Sequence, residues 1–65
     1  MRQADLNRVK KAKEHLKAAA ILLGNIKHPA TAAIERIRVN SCKEYIKCVD
    51  YNLEMIIELN NNGED

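Results

Sequence analysis

The chain has 65 residues, a net charge of +2, no Trp or Phe, two Tyr and two Cys. That length allows one domain at most, 1–65, and a chain this small buries only ~60% of its unfolded surface, so its own core is thin. The longest apolar run, Ala18 to Leu23, has six residues, far short of the ~18 of a membrane span. The N-terminus lacks a charged-then-apolar-then-small leader, so a cytoplasmic protein is expected, with no membrane contact.

The first element is predicted as a helix over about 4–23. Val9, Ala12, Leu16, Ala19, Leu23 and Ile26 alternate spacings of three and four. At about 100° of turn per residue, that spacing lines up one stripe of a helix. Near its C-terminal end, Ala18 to Leu23 is apolar all round, the mark of a segment buried on every side. Gly24-Asn25 is expected to close the helix, since both residues tolerate the left-handed conformation. The connection is placed at 24–28, and Pro29 fits the first turn of the next helix, where its missing N–H costs nothing.

The second helix is predicted over about 29–59, with a polar tail at 60–65. Val39, Cys42, Ile46, Val49, Leu53 and Ile56 repeat the spacing of the first stripe. Ser41-Cys42-Lys43-Glu44 matches a capping box, so a break near Ser41 competes with one continuous helix; the unbroken phase of Val39 and Cys42 favours continuity. A second apolar line runs through Ile34, Ile37, Tyr45, Cys48, Met55 and Leu59, interrupted by Ser41 and Asn52. The two lines together cover ~200° of circumference, about twice what a surface helix needs.

The fold class is therefore all-α: a helical hairpin, dimerising into a four-helix bundle because its first helix covers only one side of the second. The expected core and dimer residues are Val9, Leu16, Leu23, Ile26, Val39, Cys42, Ile46, Val49, Leu53 and Ile56. Asn52, a polar residue on the second line, either fixes register across a seam or reaches water at its rim. The cysteines lie ~120° apart around the helix and cannot bridge within it; they are expected as reduced, small buried hydrophobes, with an intermolecular disulfide as the alternative.

Charge is segregated along the chain. Residues 1–28 hold seven basic and two acidic side chains, giving +5; residues 29–65 hold four and seven, giving −3. The basic helix opens a nucleic-acid reading through Arg8, Lys10, Lys11 and Lys17. Against it, the basic start of the hairpin lies beside its acidic end, and the lysines are spread over several faces without the Arg, aromatic or Gly-rich contacts of phosphate surfaces.

No catalytic motif is present, and no enzyme is expected. His15, His28, Cys42 and Cys48 show neither CxxC nor HxxxH spacing, so neither a metal nor another cofactor is expected. Tyr51 lies opposite the apolar stripe, among Lys47, Glu54 and Glu58, where an aromatic has no core to serve. The sequence thus points to a small non-enzymatic interaction or regulatory protein, binding a protein partner through Tyr51, Lys47, Glu54 and Glu58, with nucleic acid as the alternative.

Overall fold

The computed structural model describes residues 1–26 and 32–62, which form two helices, α1 (Gln3–Gly24) and α2 (Ala33–Asn62), packed as a hairpin. The expected start of the second helix at Pro29, positions 27 and 28 of the connection, and the tail beyond position 62 lie outside the described residues.

α1 begins where Leu6 N–H donates to Arg2 O at 3.0 Å. Asp5 sits in its first turn, where a carboxylate meets the positive end of the helix dipole. The other end differs from expectation. Gly24 belongs to the helix, and no described residue has a positive φ. Asn25 N–H donates to Leu22 O at 3.2 Å and Ile26 N–H to Leu23 O at 3.3 Å. These i→i−3 bonds satisfy the last carbonyls by tightening the final turn, so the left-handed closure is not needed.

α2 is one helix of 30 residues, continuous through Asn40 and Ser41. The capping interaction is made elsewhere. Ala32 N–H donates to Glu35 Oε1 at 3.0 Å, and Arg36 N–H to Ala32 O at 3.0 Å. Glu35 thus plays the carboxylate half of a capping box from the third helical position, and Ser41 to Glu44 lie inside the helix. The polar tail also shortens, because α2 runs on to Asn62. Asn60 Nδ2 donates to Ile56 O at 2.8 Å, a side-chain bond back onto the helix that is compatible with continuing it.

The seam between the helices is narrow. Leu6, 4% exposed, is the only buried residue among those described. Behind it, Val9, Lys13, Leu16, Ala19 and Leu23 of α1, and Ile26 just past its end, are half-buried; on α2 so are Val39, Ser41, Lys43, Ile46, Asp50, Leu53, Glu54, Ile56, Ile57 and Asn60. Both rows keep a heptad rhythm, but they are not the rows read from hydrophobicity alone. Ala12 gives way to Lys13, and Cys42 and Val49 to Lys43 and Asp50; Ala12, Cys42 and Val49 are exposed.

Two substitutions test this packing. Leu6→Ala should cost about 2–5 kcal/mol, the usual range for a buried Leu, and lower the melting temperature more than Leu22→Ala, since Leu22 is 70% exposed. Gly24→Ala should instead stabilise the hairpin by about 0.4–1 kcal/mol, because nothing lies within 4 Å of a Cβ built there. Thermal melts followed by circular dichroism check both; a destabilised Gly24→Ala protein contradicts the tightened helix end.

Candidate interaction surface

The seam carries an ion cluster at its middle. Lys13 Nζ donates to Asp50 Oδ1 at 2.8 Å and lies 3.5 Å from Glu54 Oε2. These are the only ion pairs between the helices among the described residues; the others join residues three apart on one helix. The cluster follows from register. Lys13 is four residues from Val9 and three from Leu16, and Asp50 is four from Ile46 and three from Leu53, so each occupies a seam position. The Asp50 hydrogen bond, with the Asp50 and Glu54 charges, holds the Lys13 ammonium above its ordinary value of 10.5 against a smaller opposing effect of desolvation.

This cluster marks one flank of the hairpin as the charged one. Lys10, Lys13, Glu14 and Lys17 of α1 and Lys47 and Asp50 of α2 line an open groove along it. The groove carries both signs around a floor of Leu16, Ala20, Ile46 and Ile57, and Lys13 meets Asp50 within it.

The other flank of α2 is different in kind. Beyond Val39 the charged residues of α2 are Lys43, Glu44, Lys47, Asp50, Glu54 and Glu58, which all fall within a sector of ~120°. Leading away from the seam on the opposite side come Cys42, Val49 and Ile56, then Tyr45, Asn52 and Leu59, then Cys48 and Met55. No charge interrupts them, and all but the half-buried Ile56 are left exposed. Tyr45 is 70% exposed, Leu59 66% and Val49 47%; both cysteines are free and exposed. The expectation of buried cysteines therefore does not hold within one hairpin, because the seam turns past them toward Lys43 and Asp50. Ile21 and Leu22, near the end of α1, are exposed as well.

The chain exposes 5221 Å², against roughly 4,200 Å² for a compact monomer of its mass. Its radius of gyration is 15.3 Å, against roughly 11 Å for a compact chain of its length. Both follow from the elongated shape, 51 × 15 × 12 Å.

The proposed partner residues separate into groups. Tyr51 is exposed on the polar side of α2, as is Glu58; Lys47 is exposed and pairs with Glu44 at 3.4 Å. Glu54 is half-buried and turned to Lys13. Of the alternative nucleic-acid contacts, Arg8 pairs with Asp5 at 2.7 Å and Lys11 with Glu14 at 3.7 Å, while Lys10 and Lys17 line the charged groove. His15 is exposed. Among the described residues no group of three His, Cys, Asp or Glu is placed to hold a metal, and no helix is long and apolar enough to cross a membrane. No protein-family model, no curated protein and no solved structure matches the chain.

Lys13 and its partners were missed by a reading based on apolar spacing. The signal that finds them is charge at seam phase: a lysine in step with Leu6, Val9 and Leu16, and an aspartate in step with Ile46 and Leu53.

Lys13→Glu should lower the melting temperature by several degrees, and the exchange Lys13→Asp with Asp50→Lys should recover much of the loss. Equal losses in the single and exchanged variants would reduce the cluster to chance proximity. The pH dependence has a definite sign. A lysine whose folded value is raised contributes stability that is fully present below its ordinary value of 10.5 and lost as pH rises through the folded value. The melting-temperature gap between wild type and Lys13→Met should therefore narrow above about pH 10.5.

Proposed function

We propose that the chain is a non-enzymatic interaction protein that works as a homodimeric four-helix bundle. The uncharged face of α2 is its assembly seam, and the outer face of α2 around Tyr51 is its surface for a protein partner. One observation carries the reading: Cys42, Tyr45, Cys48, Val49, Asn52, Met55 and Leu59 stand exposed on one side of α2 without a charge among them. Extended apolar surface of this kind on a small protein marks an interaction site. Burial in a bundle also suits the exposed Ile21 and Leu22 of α1, which the hairpin alone leaves in water.

The competing use, nucleic-acid binding through α1, is weakened by the same geometry. Two of its four candidate basic residues are already paired with carboxylates on their own helix, and the charged groove contains acids as well as lysines. The basic charge supports helix packing and solubility better than it supports a phosphate track.

Sedimentation equilibrium at micromolar concentration should give twice the chain mass of 7.4 kDa; a well-folded monomer overturns the reading. The two tyrosines sharpen the test, because they stand on different faces. Tyr45→Ala should weaken the dimer by roughly 2 kcal/mol, the threshold of an interface hot spot, or about thirty-fold in Kd. Tyr51→Ala should leave mass and helicity unchanged, as expected of a residue reserved for a partner.

A further inference from the structure

We propose that the charge on Lys13 fixes the rotation of α2 within the hairpin. While Lys13 is charged, α2 turns Asp50 to α1; without that charge, α2 turns about its own axis and packs Cys42, Val49 and Ile56 there instead. The device lies within one chain and does not depend on the homodimer reading.

Two rows on α2 can serve the seam, and they share half their members. Val39, Ile46 and Leu53 belong to both and are half-buried. The occupied row completes them with Lys43, Asp50 and Ile57; the other completes them with Cys42, Val49 and Ile56, each one position earlier. At about 100° per residue, exchanging half the positions for their preceding neighbours moves the centre of the row by about 50°. The shared residues stay in the seam throughout. Ile56 and Ile57 are both half-buried, so at this end of α2 both rows are already partly covered. Little packing resists the turn, because Leu6 is the only buried residue among those described.

What opposes the turn is charge. Lys13, its side chain 31% exposed, is held between Asp50 at 2.8 Å and Glu54 at 3.5 Å. Turning α2 puts Val49 at the seam in place of Asp50 and leaves a half-buried ammonium without a carboxylate. That costs more than covering Cys42 and Val49 gains. Once the charge is removed the cost is gone, while the apolar gain stays. One lysine thus decides how much uncharged surface α2 presents: Cys42 and Val49 leave it, and Cys48 and Met55, farther round the helix, remain.

Alkylation with iodoacetamide reads the rotation. Cys48→Ala leaves Cys42 as the one thiol, and Cys42→Ala leaves Cys48 as the reference. Both are exposed with Lys13 in place and should react at similar rates. Adding Lys13→Met should slow Cys42 by about tenfold or more, as burial in a folded element does, and leave Cys48 unchanged. Lys13→Arg should leave both fast. Cys42 is eight residues from Asp50, about 12 Å along the axis and beyond the ~8 Å screening length, so loss of the charge does not itself alter the thiol. Circular dichroism confirms that each chain is folded, and Lys13→Gln replaces Lys13→Met should the latter lose helicity. Cys42 as fast as Cys48 in the folded, neutralised chain overturns the rotation. Equal slowing of both thiols also overturns it, because something other than α1 then covers the whole face. Helicity lost in both neutral variants overturns it too, since the second setting is a folded one.

Discussion

Two helices touch along one line, and a side chain on that line is covered from one direction only. This limit governs the molecule. Leu6 alone escapes it; every other seam residue keeps some contact with water. A chain of this length has few ways to add a second wall. Its two cysteines are exposed and unbridged, and its described acids, histidines and cysteines do not gather into a metal site. The surface that remains apolar and uncharged is therefore the one whose covering decides how stable the fold is.

The Lys13–Asp50–Glu54 cluster explains why that surface lies where it does. An apolar seam alone is tolerant of rotation, because α2 offers ~200° of suitable surface to α1. A lysine at a seam position breaks this tolerance: α2 must turn until a carboxylate meets it. Asp50 and Glu54 stand on the charged side of α2, so meeting them draws that side toward α1 and leaves Cys42 and Val49 exposed, with Ile56 half-buried at the edge. Half-exposed ion pairs contribute little to net stability, but a charge in a helical seam can select one arrangement among several. The pair acts as a selector of face more than as a source of adhesion.

Helix existence was legible because apolar spacing fixes it: Val9, Leu16 and Leu23, and Val39, Ile46 and Leu53, all lie at the seam as their periodicity requires. What periodicity could not decide was which of two adjoining stripes faces inward. Cys42 and Lys43 are neighbours on the helix, as are Val49 and Asp50, and hydrophobicity picks the cysteine and valine. The chosen seam takes the lysine and aspartate, because the decision belongs to a charge on the other helix 37 residues away. Local signals failed in a similar way at the ends. Ser41 offers a capping hydroxyl, but stopping a helix there would break the phase joining Val39 to Ile46. Glu35, three residues after an alanine that offers no capping group of its own, makes the bond instead. Gly24 can adopt the left-handed conformation, but a tightened last turn satisfies the carbonyls without it.

The division of α2 into a charged sector and an uncharged one also bears on what kind of assembly is stable. A face that complements itself on reversal is used up when one copy binds, so association stops at a closed pair. The charges stand on the flank of α2 turned to Lys13, and the large uncharged surface among the described residues is the one that α1 leaves open.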